Sequence, residues 1–299
     1  MKFFLCSVFM LFICCYKDSD FIITKQKIEE EKKLSPFLVT DFEKNVFRGW
    51  TYKEIRNVLN PLSLEHNISE INNFDFSTKL EYPDSFDFRN TYPNCILPIK
   101  NQGQCDASWA MSLTGTLSNR FCINGQSHSF SAQDLISCDT KGFGCSGGLL
   151  PEAFQYIIKT GVVTDDCWPF ESSQGTVTPC RTTCKNPSVN WQKFYCKTNS
   201  VIGLYNEKEQ KTEITKGPVI SGFYVYEDFL SYQGGIYHHK SGGLIGGLVV
   251  KVIGYGINPE KYWIAENVFG SNWGEGGYFR IGAGECNFDD TMMICSPMI

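Results

Sequence analysis

The chain has 299 residues, of which 42% are hydrophobic, and a formal net charge of -5. This composition is typical of a folded globular protein and excludes a mainly disordered chain. The chain has no basic run or basic patch, so we expect no nucleic-acid partner.

The first residues, "MKFFLCSVFMLFICCYKDSD", place Lys2 before an apolar run that ends near Tyr16. This pattern predicts a secretory signal over residues 1–19. An uncleaved N-terminal anchor is the alternative, but the run is shorter than the roughly 20 residues that span a bilayer. We therefore expect no stable membrane insertion.

Residues 21–46 are polar and rich in Lys and Glu, and no cysteine occurs in residues 20–81. The stretch "KQKIEEEKKL" predicts a solvated helix with little core of its own. Thr51 and Glu54 form a capping box that begins a second helix, and Asn60-Pro61 ends it. Asn67 begins a glycosylation sequon, Asn-Ile-Ser.

Beyond residue 82 the pattern changes twice. Apolar residues recur every four positions from Ser108 to Ile123, which predicts a helix with one buried face, and residues 149–158 predict another. After Pro218, short β-branched and aromatic runs separated by glycines predict strands. We therefore expect an α+β fold with a helical subdomain at about 95–200, a β-rich subdomain at about 201–299 and a cleft between them.

Cysteine is frequent, with 14 residues, three of which lie in the leader. The other eleven follow Tyr82, and such density is typical of secreted domains with disulfides. An odd number leaves at least one thiol unpaired or paired with a partner. Cys180 and Cys184 are spaced like zinc ligands, but no second pair completes a site, so we expect no metal.

Four motifs occur in one order along the chain: "QGQCDASW" (102–109), "GCSGG" (144–148), "GGLVVKVIGYG" (246–256) and "YWIAENVFGSNWGEGGYFRI" (262–281). Together they resemble the papain-like cysteine peptidases. The stretch "YPDSFDFRNTYPNC" resembles the mature N-terminus of the cathepsin B subgroup. The resemblance covers about residues 47–295 and implies a papain-like two-subdomain fold at 82–299, preceded by a pro-segment at 20–81. It also implies proteolysis without a cofactor, in the secretory pathway, with an extracellular or a lysosome- or vacuole-like destination.

The resemblance assigns four catalytic positions. Gln102 matches the oxyanion-hole glutamine, and Asn267 matches the asparagine that orients the general base. Ser108 stands at the nucleophile and Leu248 at the general-base histidine. A serine hydroxyl attacks only when a base removes its proton, and leucine cannot accept one. The reactive pair is therefore absent, and we predict a catalytically inactive homologue.

The surroundings of that pair also depart from the family. Val268-Phe269 stands where the family has Ser-Trp, so phenylalanine replaces the tryptophan that shields the Asn–His pair. We expect His128, His238 and His239 to lie out of reach of Ser108. Ser108 itself is predicted to be a helix cap, since serine is a favoured N-cap residue.

The resemblance also implies peptide-binding residues. Gly147 and Gly148 match the strand that pairs with the substrate backbone, and Trp273 matches the aromatic residue on the leaving-group side. Leu150 and Val249 would line an apolar pocket, with Thr291 where the subgroup has an acidic residue. Residues 149–200 contain no histidine, so the histidine-bearing loop that covers the cathepsin B cleft is absent or functionless.

Four disulfides are implied by the resemblance: Cys95–Cys122, Cys105–Cys145, Cys138–Cys180 and Cys167–Cys184. Cys196, Cys286 and Cys295 are left over.

Three hypotheses follow from the sequence. The first is an inactive protein that binds a peptide or protein ligand, or a peptidase inhibitor, in its cleft. The second is an active peptidase that uses Ser108 with an unidentified base. The third is a secreted structural or adhesive protein in which the cleft plays no part.

Overall fold

The computed structural model describes residues 17–60 and 82–299, together with the backbone of 72–73. Most of the predicted signal and the sequon at Asn67 lie outside the described residues. No helix in the described part of the chain is both long and apolar enough to cross a membrane.

Seven α-helices are described. They are α1 (Lys25–Leu34), α2 (Tyr52–Asn57), α3 (Phe88–Thr91), α4 (Ser108–Ile123), α5 (Ala132–Cys138), α6 (Leu150–Lys159) and α7 (Glu207–Lys216).

Eleven strands accompany them. They are β1 (Leu38–Val39), β2 (Asn72–Asn73), β3 (Phe86–Asp87), β4 (Ile202–Leu204), β5 (Val219–Tyr226), β6 (Tyr232–Gly234), β7 (Ile236–Tyr237), β8 (Leu244–Gly256), β9 (Tyr262–Glu266), β10 (Tyr278–Gly282) and β11 (Met292–Ile294). The main sheet has the order β2-β4-β11-β5-β8-β9-β10-β7, and β3 pairs with β8. The long strand β8 lies between β5 and β9, antiparallel to both.

Helix α4 has the bounds that its periodicity predicts, and it forms the centre of the core. Its apolar stripe, which begins at Trp109 and ends at Phe121, is at most 1% exposed. The helix packs against β8. This contact joins the helical half to the β half and fixes the start of α4 beside the middle of β8.

The second half of the chain contains the predicted strands, and the α+β fold class is confirmed. Helix α7 was not predicted, and it lies inside the region expected to be β-rich. Its sequence, "EKEQKTEITK", has no clear apolar stripe, and Asn206 starts the helix by capping the amide of Glu209. Tertiary packing then buries Gln210, Thr212 and Ile214.

The pro-segment is docked on the peptidase domain. Strand β1 pairs antiparallel with β6, and the capping box of Thr51 and Glu54 forms at the start of α2 as expected. Helix α1 buries only Ile28 and Glu31, which agrees with the predicted solvated helix with little core of its own. Helix α2 ends at Asn57, three residues before Asn60, so residues 58–60 leave the helix.

The structure contains the four implied disulfides. It adds a fifth, Cys196–Cys295, between two of the three cysteines left over in the sequence. Cys286 is then the one free cysteine among the described residues. The fifth pair was missed because its partners lie 99 residues apart and only the fold brings the last residues beside Cys196.

Candidate active site

The predicted catalytic positions face one another across the contact between α4 and β8. We call Gln102, Asp106 and Ser108 the helical wall. Leu248, Asn267 and Phe269, on β8 and in the loop after β9, form the strand wall. The helical wall and the strand wall are the two sides of the cleft.

Ser108 connects the two walls. Its hydroxyl oxygen accepts a hydrogen bond from the main-chain N–H of Val249 at 3.3 Å. One turn further along α4, the hydroxyl of Ser112 donates to the carbonyl of Val249 at 2.9 Å. Both backbone groups of Val249 are therefore satisfied by side chains of α4.

The prediction that Ser108 caps the helix was wrong. Ala107 is the N-cap residue, with no side-chain cap bond, and Ser108 is the first residue of α4. The physical reason is the partner across the cleft: the hydroxyl bonds to β8 instead of to an amide of its own first turn.

Leu248 provides no base. Its side chain is 0% exposed and lies opposite Phe223 in the β5–β8 pair. The predicted helper of the missing histidine, Asn267, is also fully buried. Its Oδ1 accepts the adjacent N–H of Val268 at 2.7 Å, while its Nδ2 has no hydrogen-bond partner among the described residues. The strand wall thus holds the asparagine of the predicted catalytic pair, with leucine at the position predicted for the imidazole.

All three histidines of the peptidase domain are engaged elsewhere. His238 lies 2.9 Å from both Glu285 and Glu260; burial lowers its pKa, but these two carboxyls raise it by more. His239 bonds to Asp228 at 3.1 Å, and the ring of His128 packs at a tilt of 45° against Phe194, with 4.6 Å between ring centroids.

An ionisable group that sequence reasoning overlooked does lie beside Ser108. The hydroxyl of Ser108 donates to Oδ1 of Asp106 at 3.4 Å, and Asp106 is 0% exposed. Burial raises the pKa of this carboxyl to about 7, although hydrogen bonds from the N–H of Asn60 and from Ser108 lower it. The sequence pointed only to histidines as replacement bases. The signal for Asp106 was an acidic residue two positions before the nucleophile position.

Residues 58–60 of the docked pro-segment contact both walls of the cleft. The side-chain amide of Gln102 donates to the carbonyl of Val58 at 2.9 Å. The N–H of Gly247, on β8, donates to the carbonyl of Leu59 at 3.0 Å. The predicted oxyanion donor therefore holds a main-chain carbonyl, and the strand beside Leu248 holds the next one.

Asn60 continues this contact along the helical wall. Its main-chain N–H donates to Oδ2 of Asp106 at 3.0 Å, and its side-chain amide donates to the carbonyl of Ser146 at 2.9 Å. The three residues 58–60 are thus bound mainly through backbone groups.

The remaining predicted binding residues lie on several different elements. A Cβ added to Gly148 would lie 2.5 Å from the ring of Trp109, and Gly147 has a φ of 98°, so the glycine pair lies flat against α4. Leu150 begins α6 and is buried together with Val249, whereas Thr291 is partly buried directly before β11.

On the other side of the cleft, Trp273 is 3% exposed. It packs edge-on against Phe269 at 5.5 Å between centroids. Phe269 also meets Phe47 of the pro-segment edge-on at 5.0 Å. The phenylalanine that replaces the shielding tryptophan is therefore part of the surface on which the pro-segment docks.

In chemical terms, the site offers one hydroxyl, one carboxyl of raised pKa and an amide donor. It holds neither a cysteine thiol nor an imidazole at the predicted catalytic positions. In the described ranges, no group of three or more potential ligands is arranged to hold a metal ion.

Comparison with known proteins gives a consistent result. The family model described as "Papain family cysteine protease" matches residues 82–296. "Cathepsin B-like CP2" of Giardia intestinalis is 34% identical over 277 residues, which cover 90% of this chain and 92% of that relative. "Cathepsin B-like cysteine proteinase 3" of Caenorhabditis elegans is 36% identical over 240 residues, covering 71% of this chain and 65% of that protein.

Among solved structures, "proCathepsin B S9 from Trypanosoma congolense" superposes with a TM-score of 0.84 at 29% identity. The match covers 94% of this chain and 100% of that chain. The likeness therefore includes the pro-segment as well as the domain behind it.

Proposed function

Since this chain belongs to the papain family of cysteine proteases and is cathepsin B-like, we propose that it binds an extended peptide in its cleft without hydrolysing it. The observation that carries this proposal is the buried leucine at position 248, next to Val249, whose N–H bonds to the Ser108 hydroxyl. The family reaction needs a proton acceptor at that position, and an aliphatic side chain has none. Replacement of the nucleophile by serine makes the lack of a base more severe, because a hydroxyl is a much weaker acid than a thiol.

Retained binding is supported by the way in which the cleft holds residues 58–60. Gln102 and Gly247 donate to two successive carbonyls, and Leu59 is fully buried. Main-chain hydrogen bonds of this kind accept many sequences, while a buried side chain provides selectivity. A peptide or protein segment, or the inserted segment of a peptidase inhibitor, is therefore the expected ligand.

The test uses the full-length chain with Leu59→Asp. A carboxylate in this buried position is costly, so the pro-segment should leave the cleft. A fluorescently labelled peptide of residues 52–60 should then bind, as measured by anisotropy, and mass spectrometry should find it intact after prolonged incubation. The same peptide carrying Leu59→Asp is the matched control and should not bind.

Cleavage of the peptide, lost in Ser108→Ala, would overturn the proposal. Absence of binding by the unmodified peptide, with the variant still folded by circular dichroism, would overturn the binding half of it.

A second candidate function has one observation in its favour. Asp106 lies within 3.4 Å of the Ser108 hydroxyl, and a pKa of about 7 is suitable for a general base at neutral pH. In this alternative Asp106 accepts the proton of Ser108 while Gln102 stabilises the oxyanion. Hydrolysis that disappears in both Ser108→Ala and Asp106→Asn would establish it; hydrolysis that survives Asp106→Asn would reject Asp106 as the base.

Reversion of the two reactive positions tests whether the rest of the site can still support catalysis. We expect Ser108→Cys with Leu248→His to restore little activity, because Val268 and Phe269 remain. Strong activity in this double variant would mean that the rest of the site is still competent.

We also propose a route through the secretory pathway, with an extracellular or a lysosome- or vacuole-like destination. Five disulfides in the described residues support an oxidising compartment during folding. Loss of residues 1–19 from the mature chain, measured by intact-mass analysis, is the expected result, and a retained leader would contradict it.

A further inference from the structure

A buried carboxyl group lies in the cleft beside the end of the docked segment. Asp106 comes two residues before α4 and is 0% exposed. It is the only ionisable side chain among the residues defined above as the two walls. The papain signature has glycine at this position, so the family pattern does not account for a carboxyl there.

Each oxygen of this carboxyl accepts a hydrogen bond from a neutral donor. Oδ2 accepts the main-chain N–H of Asn60 at 3.0 Å, and Oδ1 accepts the hydroxyl of Ser108 at 3.4 Å. No Lys, Arg or His of the described residues contributes to the pKa of Asp106. A negative charge on Asp106 therefore has no counter-charge in the described part of the chain.

Burial without a counter-charge disfavours the anion. It raises the pKa of Asp106 to about 7, and the two hydrogen bonds lower this pKa by less than burial raises it. Burial raises the pKa of Glu31 to about 7 as well, but Glu31 lies on α1 of the pro-segment and bonds to Ser231. Of these two carboxyls, Asp106 is the one that contacts residues 58–60, and a ligand in their place would meet it.

A second acceptor lies next to Asp106. Asp106 and Ser146 form a parallel β-bridge, and the carbonyl of Ser146 accepts the side-chain amide of Asn60 at 2.9 Å. Residue 60 therefore donates to a carboxyl on one side and to a carbonyl on the other. An ammonium group carries three N–H donors and a positive charge, so it suits this pair of acceptors better than a neutral amide does.

The preceding contacts define where such a group has to lie in a ligand. Leu59 is fully buried, and the carbonyls of Val58 and Leu59 accept hydrogen bonds from Gln102 and Gly247. The position that meets Asp106 comes directly after the buried apolar side chain.

We propose that the cleft selects ligands that place a protonated amine against Asp106, at the position that Asn60 occupies in the docked pro-segment. The amine belongs either to a lysine side chain that follows an apolar residue or to the free amino terminus of a peptide. Both sources supply the same ammonium group to Oδ2 and to the Ser146 carbonyl. The inference rests on the proposed function, since it names the kind of peptide that the cleft binds.

The positive charge gives a ligand an advantage over the pro-segment. A free ligand competes with a segment of the same chain, and such tethering acts like a concentration in about the millimolar range. The pro-segment brings only neutral donors to Asp106, whereas an ammonium group forms a charge-assisted hydrogen bond, which is roughly twice as strong as a neutral one. The ammonium group also stabilises the ionised carboxyl, which burial disfavours.

The test uses the full-length chain with Leu59→Asp, as above, at about pH 7, where a lysine amine is protonated. Fluorescence anisotropy compares labelled peptides of residues 52–60 that carry Asn60→Lys or Asn60→Met. Methionine is also long and unbranched but has no charge. The lysine peptide should bind about tenfold more tightly, and acetyl-lysine at position 60 should remove this gain.

A second pair of peptides tests the other source of the amine. The peptide of residues 60–66, labelled at its carboxyl end, is compared with a free and with an acetylated amino terminus. A gain for the free form alone would support the proposal and assign the amine to amino termini. A gain for the lysine peptide alone would support it and assign the amine to a side chain.

Two variants of Asp106 test whether the gain depends on this carboxyl. Asp106→Asn keeps the shape of the side chain without its charge, and Asp106→Gly is the second variant if the first does not fold. Either should abolish the gain from the amine. Asp139→Asn is the matched control, because burial also raises the pKa of Asp139, whose bonds lie within its own loop, to Lys141 and Gly142. This control should keep the gain.

The absence of any gain from an amine in both pairs of peptides would overturn the proposal. A gain that persists in Asp106→Asn or Asp106→Gly would overturn it as well. In both cases, binding of the unmodified peptide of residues 52–60 would show that the proposed function stands without this selectivity. If no peptide of either pair binds and the unmodified peptide does not bind, both proposals fail.

Discussion

The two walls of the cleft have diverged differently from the arrangement that the family uses. On the helical wall, Gln102 still donates to a carbonyl, and Ser108 has partners on both sides. On the strand wall, Leu248 has joined the apolar core, and Asn267 has an amide nitrogen without a partner. The helical wall thus keeps a hydrogen-bond donor at the predicted oxyanion position, whereas the strand wall has an aliphatic side chain at the predicted general-base position.

The largest expected effect on the free energy of unfolding is at the two reactive positions. Leu248 contributes packing there, whereas Ser108 contributes hydrogen bonds. Leu248→Ala should lower the free energy of unfolding by about 3 kcal/mol, because it leaves a cavity in a fully buried site. Ser108→Ala should cost about 1.5 kcal/mol, since it mainly leaves the N–H of Val249 unpaired. Urea denaturation of both variants measures the difference, and equal losses would contradict the contrast between the walls.

A smaller effect is expected at the retained oxyanion position. Gln102→Leu removes the bond to Val58 and should weaken pro-segment docking by about 1 kcal/mol, or roughly fivefold in the opening equilibrium. Hydrogen exchange of residues 52–60 reports this change. The exposed neighbour Gln104 provides the control, and an equal effect of Gln104→Leu would show that Gln102 has no special role.

The smallest effect on the free energy of unfolding is expected at Asn267, whose side-chain amide nitrogen has no hydrogen-bond partner among the described residues. Asn267→Leu should change the free energy of unfolding by less than about 1 kcal/mol, because it removes an unpaired polar group together with one local bond. Asn119→Leu is the matched comparison: that buried asparagine bonds to the carbonyl of Cys95 at 2.6 Å and to Lys251 at 2.9 Å. It should cost about 2–3 kcal/mol. A large loss at Asn267 would mean that the amide has a partner after all.

Local patterns in the sequence predicted the elements that build the site. The four-residue repeat located α4 at its observed bounds, because an amphipathic helix needs neighbours only one turn away. The β-branched and aromatic runs separated by glycines located β5, β8, β9 and β10, because this strand signal is also contained in a few neighbouring residues. Helix α7 escaped prediction, since it lacks a clear apolar stripe and is stabilised by packing against distant strands.

The details of the candidate site were harder to predict from the sequence. The resemblance to the family marked Ser108 and Leu248, but the preference of serine for N-cap positions suggested a helix cap where the structure has a bond across the cleft. The sequence also left Cys196 and Cys295 unpaired and gave no importance to Asp106. In each case the deciding partner lies far away in the chain: Val249 for Ser108, Cys295 for Cys196 and Asn60 for Asp106.

By itself, the sequence determined the fold class, the order of the motifs and the absence of a thiol and an imidazole at the two reactive positions, because these depend on residue identity and local periodicity. Only the tertiary structure decided that Asp106 and Glu31 are carboxyls with strongly raised pKa values. The charge of a carboxyl depends on the water around it. At Asp106 that water is excluded by a docked segment 46 residues earlier in the chain.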